Sequence, residues 1–375
     1  MAKLGDIATY INGYPFKPDD WSDTGLPIIR IQDLTGNSYQ ANRYKGEYQP
    51  KYEVNAGDVL ISWSASLGVY IWQGEKALLN QHIFKVVFNK EAVSKDFFVF
   101  QVERILKKAA QDVHGATMKH LTKPVFDALP FYLPSYEEQC NIANKLKYVR
   151  SIIEQRQEQL TKLDELVKAR FVEMFGDILI NSMGWTEAEI GVHCFVTKLA
   201  GFEYTQYIQY ENFGEVVMVK AQNIKNGKLN DKDLSYISAE VSELLPRSQL
   251  MPGDVVMTYV GANIGDVAVI DNKYKYHLAP NVAKIRPDSS VYNSVFLMKL
   301  LMYMKLYIVK NSADTAKAAL GMSRIRKLKA IVPPLSLQND FATFVECVDQ
   351  QKQNVQQSLE KLELLKKALM QEYFG

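Results

Sequence analysis

Two kinds of hydrophobic pattern alternate along the chain. In one, apolar residues recur at steps of four and three: Ile142, Leu146, Val149, Ile153, Leu160, Leu163, Val167 and Met174, with Arg156 and Arg170 holding two places in the series. A second such series runs Phe341, Val345, Val348, Val355, Leu359, Leu362, Leu369 and Tyr373, with Lys352 and Lys366 in the series. A seven-residue repeat set among Glu, Gln and Lys predicts a long helix with a coiled-coil seam in each place. About 38 residues at about 1.5 Å each would span roughly 57 Å. The other pattern consists of short runs rich in β-branched and aromatic residues, at 27–31, 59–63, 69–72, 83–88, 216–220, 255–259 and 267–270. Gly, Asn and Pro punctuate them, which predicts strands. Asn12-Gly13 and Asn226-Gly227 read as tight turns, and a helix is predicted after each strand set, at 95–110 and 293–310.

These patterns occur twice because the chain is a duplication. Leu133-Pro134-Ser135-Tyr136-Glu137-Glu138-Gln139 matches Val332-Pro333-Pro334-Leu335-Ser336-Leu337-Gln338, an offset of 199 (Gln139 against Gln338). The same offset reaches Glu173-Met174-Phe175-Gly176 against Glu372-Tyr373-Phe374-Gly375 without a gap. Upstream, Gly57-Asp58-Val59-Leu60-Ile61-Ser62 pairs with Gly253-Asp254-Val255-Val256-Met257-Thr258, and Phe84-Lys85-Val86 with Ala283-Lys284-Ile285. Arg30-Ile31-Gln32-Asp33 pairs with Lys220-Ala221-Gln222-Asn223, and Leu4-Gly5 with Ile190-Gly191.

The expected class is therefore α+β: two mostly-β domains related by internal duplication, each followed by a long helix. The divisions are 1–134 (first domain), 135–176 (first helix), 177–334 (second domain) and 335–375 (second helix). Equal lengths suit mutual burial of the two helices, and the first must carry the chain between domains, so an antiparallel coiled coil is expected. Two helices packing separately, each on a domain or between chains, is the other arrangement.

Composition adds little. The 375 residues carry a formal net charge of +2, so a nucleic-acid partner must be argued from where charge sits rather than from its total. Three scattered cysteines, Cys140, Cys194 and Cys347, offer no disulfide framework and no metal-ligand spacing, and the His193–Cys194 neighbours read as accidental. The opening residues are not followed by an apolar core, and the stretch 295–309 is interrupted by Lys299 and Lys305. It falls short of the roughly 20 apolar residues that span a bilayer, so a cytoplasmic location is expected.

Candidate chemistry is defined first by what is missing. There is no Gly-x-x-x-x-Gly-Lys-Ser/Thr loop, no Asn/Asp-Pro-Pro-aromatic motif and no duplicated acid–base group. A domain duplicated without catalytic groups points to recognition. Basic residues cluster before each long helix: Arg104, Lys107, Lys108, Lys119 and Lys123 in the first copy, with His120 beside Lys119, and Lys317, Arg324, Arg326, Lys327 and Lys329 in the second. Such stretches suit phosphate contacts, though a solvated charged face has the same composition. The matched loops diverge in chemistry: Ser62, Trp63, Ser64 and Ser66 stand where the second copy has Thr258, Tyr259 and Asn263. With Arg30, Gln32, Asn80, Gln81 and His82 in one copy and Lys220, Gln222 and Asn223 in the other, they form the candidate base-reading set. Ordinary strand-end hydrogen bonding is the competing role for the Arg30 and Lys220 segments.

Gly57-Asp58-Val59-Leu60-Ile61-Ser62, Leu79-Asn80-Gln81-His82-Ile83 and Leu133-Pro134 with Glu138-Gln139 opening a long helix, in that order, resemble the specificity subunit of type I restriction–modification enzymes across nearly the whole chain. The second copy departs from the pattern at Leu337-Gln338 and Ala279-Pro280. The resemblance implies a non-catalytic, sequence-specific DNA-binding subunit whose two target-recognition domains each read half of a bipartite asymmetric site. It implies that the helix pair sets the spacer and docks two methyltransferase subunits, with endonuclease/translocase subunits joining for cleavage. S-adenosylmethionine, ATP and Mg would sit on those partners, leaving this chain without a cofactor or metal. The alternatives are a coiled-coil scaffold without DNA binding, or a DNA enzyme with divergent motifs.

Overall fold

A computed structural model describes residues 1–36, 42–112, 122–310 and 319–375. Its contacts divide the chain into two compact units, Met1–Glu158 with Gln356–Gly375, and Gln159–Val355. Each unit holds one strand-rich domain and a segment of both long helices.

The first unit carries two four-stranded sheets. One is antiparallel throughout, in the order Thr9–Asn12, Ile83–Val87, Val59–Ser62, Gly68–Ile71. The other orders Arg43–Tyr44, Leu26–Ile29, Ala77–Leu79, Glu53–Val54, with the middle two parallel. The second unit repeats both orders. Its antiparallel sheet runs Cys194–Lys198, Val282–Pro287, Val255–Thr258, Val267–Val269, and its mixed sheet Tyr236–Ile237, Val216–Val219, Lys275–Leu278, Gln249–Leu250. The strands are short, and Val59–Ser62, Ala77–Leu79, Val216–Val219 and Val255–Thr258 are buried throughout, while Gly68–Ile71 is half-buried. The helix after the first strand set is Lys95–Asp112, while the expected 293–310 helix breaks at Met304 into Ser294–Tyr303 and Lys305–Lys310.

The turn at Asn226-Gly227 forms as expected: both residues have positive φ, 52° and 80°, and Ile224–Lys225 pairs with Lys228–Leu229 across it. Asn12-Gly13 is different. Gly13 continues the extended chain, and a Cβ there would lie 2.0 Å from the carbonyl oxygen of Asn80. The glycine serves a close backbone approach rather than a hairpin.

The long helices are Tyr136–Phe175 and Leu335–Phe374, 40 residues each. Pro134 and Pro333-Pro334 stand just ahead of them, where a missing N–H costs nothing. Gly176, at φ 75°, stops the first one, its N–H bonding the carbonyl of Val172. Within the second unit the helices run antiparallel: Asp164 pairs with Lys352, while further along Phe171 meets Phe341 at 5.3 Å. In the first unit Lys145 Nζ lies 3.3 Å from the Tyr373 hydroxyl. The heptad seam holds at Ile142, Leu146, Val149, Ile153, Leu163 and Val167, all buried. Beyond Val167 it fails. Phe171 and Phe175 are buried instead of Arg170 and Met174, because a straight helix of 3.6 residues per turn drifts from a repeat of 3.5.

Two repeated motifs have a packing explanation. Gln139 and Gln338 are almost fully buried and use their amides alike. Gln139 accepts from Ser94 N and donates to Ala92 O and Pro134 O; Gln338 accepts from Asn293 N and donates to Val291 O and Pro333 O. Each ties the start of a long helix to the segment that opens the preceding helix. Gly5 and Gly191 lie against short helices Lys123–Asp127 and Met322–Arg326. An added Cβ would stand 3.0 Å from Asp127 Cβ and 2.8 Å from Arg326 Cβ.

Candidate nucleic-acid interface

The antiparallel sheets bring the loop candidates together. Strand registers set Ile11 opposite Lys85 and Thr197 opposite Lys284, so Asn12 and Lys198 are equivalent strand-end positions. In the first domain, the Trp63 indole N–H donates to Asn12 Oδ1 at 3.2 Å, and its ring lies 4.9 Å from His82 and stacks on Phe84 at 5.6 Å. In the second, the Lys198 ammonium stands 5.3 Å over the Tyr259 ring. Backbone bonds close both constellations: Trp63 N to His82 O at 3.2 Å, Tyr259 N to Asn281 O at 2.9 Å. His82 and Asn281 both have positive φ, 72° and 69°, a region in which Asn and His are over-represented. One scaffold thus carries Asn12, Trp63 and His82 in one domain and Lys198, Tyr259 and Asn281 in the other. Asn12 and Lys198 are not among the sequence candidates, because their place beside the loops depends on which strands pair, whereas Asn281 stands where the sequence match places the counterpart of His82.

Other candidates are placed less favourably. Ser62 and Thr258 are inside the sheets, Ser62 Oγ donating to the carbonyl of Ser66, and Ser64 is buried. None of these three presents a side chain to a partner; Ser66 and Asn263 are the exposed polar groups of the two loops. Asn80 and Gln81 are half-buried. Asn80 Oδ1 accepts from Gln81 N at 2.9 Å, and the same N–H reaches Tyr14 O.

The Arg30 and Lys220 segments follow a shared local rule. Asp33 Oδ2 accepts from Arg30 N at 2.7 Å and Asn223 Oδ1 from Lys220 N at 3.1 Å, each capping a short helical turn. Asn223 is corrected as a base-reading candidate: it is buried, and its Nδ2 donates to Asn230 O and Lys232 O, so the amide is consumed within its loop. Lys220 Nζ is likewise engaged, by Asp233 O and Ser235 Oγ. The Arg30 guanidinium lies 5.3 Å over the Trp21 ring. Gln32 is half-buried and Gln222 exposed.

Of the basic clusters, Arg324, Arg326 and Lys327 are exposed on and just after Met322–Arg326, Arg326 also donating to Val196 O at 2.8 Å. In the first copy Lys123 pairs with Asp127, and Arg104 donates to Gln371 at 2.9 Å, so part of that cluster is spent on packing. Lys119, His120 and Lys317 lie outside the described residues.

A buried lysine, absent from the sequence candidates, underlies the second interface. Lys284 is 1% exposed and donates to Arg247 O and Gln249 O, joining the antiparallel sheet to the mixed one. Burial pulls its pKa down to about 8. Beside it, Arg286 grips Asp254 with two bonds of 2.6 and 2.7 Å. Burial also pushes the Cys194 thiol up to about 12, so this cysteine resists ionisation. No cluster of metal-ligating residues occurs among the described residues, and no described helix is long and apolar enough to cross a membrane.

The duplicated domain has its counterpart in known proteins. The family model for the type I restriction modification DNA specificity domain matches residues 1–162 and again 198–364. The chain belongs to this family. Among curated relatives, the EcoBI specificity subunit of Escherichia coli is 22% identical over 92% of this chain and 77% of its own length. The MjaVIII specificity subunit of Methanocaldococcus jannaschii is 23% identical over 99% of this chain and 90% of its own. The fold matches the type I S subunit from M. genitalium with a TM-score of 0.61 at 13% identity, covering 100% of this chain and 95% of that one. A chain from a study of type I complex assembly and conformational transition aligns at 0.58 and 16% identity, covering 100% and 96%. Family membership implies a recognition role in DNA restriction and modification.

Proposed function

We propose that this chain is the non-catalytic DNA-recognition subunit of a type I restriction–modification complex, its domains 1–134 and 177–334 each reading one half of a bipartite asymmetric site. The observation that carries this reading is the pair of constellations just described. Equivalent backbone bonds hold Trp63 to His82 and Tyr259 to Asn281, with Asn12 beside the first aromatic and Lys198 beside the second. A frame kept while its side chains change is what two different half-sites require. Arg324, Arg326 and Lys327 would contact phosphates, contributing affinity without sequence preference. The paired long helices would set the spacer and seat two methyltransferase subunits, with endonuclease/translocase subunits added for cleavage. S-adenosylmethionine, ATP and Mg would be bound by those partners in the cytoplasm.

The test is reconstitution with a methyltransferase subunit, followed by mapping of methylated sites. The expected result is methylation of one split sequence, absent when either protein is omitted. Methyl transfer by this chain alone, or equal methylation of all sequences, would overturn the reading.

A further inference from the structure

The first unit carries a cavity of about 280 Å³ with aromatic walls: Tyr14, Phe16, Tyr44, Tyr48 and Tyr52. Glu47 is the carboxylate among the lining residues. The frame is well held. Tyr14 is anchored through its backbone to Leu79 and Gln81, and Tyr52 ends the helical turn Pro50–Tyr52. The hydroxyls of Tyr44 and Tyr48 are tied to Glu47 O and Glu53 Oε1, both at 3.0 Å, which fixes both rings.

The rings cross at steep angles. Tyr14 meets Phe16 at 4.9 Å and 67°, Tyr14 meets Tyr52 at 5.6 Å and 62°, and Phe16 meets Tyr44 at 5.1 Å and 62°. The faces of five aromatic rings lining one cavity carry the negative π density that attracts a cation within about 6 Å of a ring centre. Glu47 supplies the complementary charge. The chain's own Lys51 already places its ammonium 4.9 Å from the Tyr52 ring centre. In the second unit the segment between Tyr236–Ile237 and Gln249–Leu250 forms the helix Ala239–Leu244 instead, so the cage belongs to the first domain.

We propose that this cavity is a binding site for an alkylammonium group, either of a free organic cation or of a lysine side chain on another protein. The rings would hold its N–CH₂ or N–CH₃ surface and Glu47 its charge. Tyr14 is hydrogen-bonded through its backbone to Gln81, so the cavity adjoins the segment that carries His82, but its test is done without DNA and it stands or falls independently of the proposed function.

The full chain is titrated calorimetrically with tetramethylammonium chloride, with neopentyl alcohol as the neutral match in shape and deoxyadenosine as the flat competitor. Millimolar binding of the cation is expected, with the alcohol weaker by about tenfold or more, equivalent to about 1.4 kcal/mol. Tyr52→Phe should retain binding, Tyr52→Leu should lose it, and Glu47→Gln, a surface change that leaves the core intact, should weaken it. Thermal melting of each variant separates lost binding from lost fold. Spermidine and an acetylated trimethyllysine amide distinguish the two sources, and tighter binding of either assigns the ligand. Equal binding of the alcohol, preference for the nucleoside, no heat in the millimolar range, or unchanged binding by Tyr52→Leu and Glu47→Gln would overturn the proposal.

Discussion

The side-chain oxygen of Gln338 accepts the backbone N–H of Asn293 at 2.9 Å while its amide nitrogen serves two carbonyls, so one buried residue closes three main-chain valences at the mouth of the second long helix. Replacing it by Leu fills the space but leaves a donor and two acceptors buried without partners. Gln338→Leu is expected to lose about 2–3 kcal/mol of stability, since each stranded group costs about 1–3 kcal/mol and some relaxation is available. Denaturant unfolding of both variants checks it: Gln139→Leu should behave alike, and a change near zero in both would refute the clamp.

Gly191 is required by distance rather than by φ. Its Cβ would meet Arg326 Cβ at 2.8 Å, so the short helix must shift and the Arg326 bond to Val196 O must stretch. Gly191→Ala should cost about 1–3 kcal/mol by overpacking. Gly5→Ala, facing Asp127 Cβ at 3.0 Å, should cost less. The comparison is a pair of melting curves, and a stabilised Gly191→Ala would contradict the packing.

Lys284 makes stability depend on pH in an unusual direction. Burial lowers its folded-state pKa from 10.5 to about 8. Between those values the unfolded chain holds the extra proton, so stability contributed by this group rises as pH increases through the window. Lys284→Met removes the titration. The stability of the original chain minus that of the variant should therefore climb by on the order of 1–3 kcal/mol from about pH 8 to about pH 10.5. A flat or falling difference would show that the ammonium is solvated.

The two constellations should be separable by mutation. Ser66→Ala or His82→Ala is expected to alter preference at one half-site, and Asn263→Ala or Asn281→Ala at the other, by about 1–3 kcal/mol per lost base contact. Changing Arg324, Arg326 and Lys327 together should weaken binding to every duplex and flatten its salt dependence. Selection from random duplexes reads all three, and both loop variants shifting the same half-site would end the division of labour.

If the helix pair is the ruler between half-sites, one added heptad after Arg156 and another after Val355 should lengthen the preferred spacer while leaving the half-sites unchanged. Seven residues at about 1.5 Å add roughly 10 Å, or about three base pairs at 3.4 Å. Methylation mapping with the lengthened chain checks it, and retention of the original spacer would exclude the helices as its source.

Periodicity and duplication are properties of residue order, and both can be read from the sequence. The offset that pairs Gln139 with Gln338 announced two copies of one plan, and the four–three spacing announced both long helices, because amphipathic period depends only on which residues follow one another. The match of Phe84-Lys85-Val86 with Ala283-Lys284-Ile285 even marked the central strands. What that match did not reveal is that Lys284 is buried and that Asn12 and Lys198 face the loop aromatics. Those facts depend on which strands lie side by side, and sheet order is a non-local choice. The same limit explains Asn223, whose polar side chain reads as a surface reader until its loop folds around it, and Phe171 with Phe175, which replace Arg170 and Met174 because helix drift accumulates only along a real three-dimensional contact. The two-copy architecture and its helical tails follow from residue order; which polar groups are spent inside the fold, and which remain to meet a partner, depends on how the sheets assemble, since burial is a property of the packed sheets and not of any one segment.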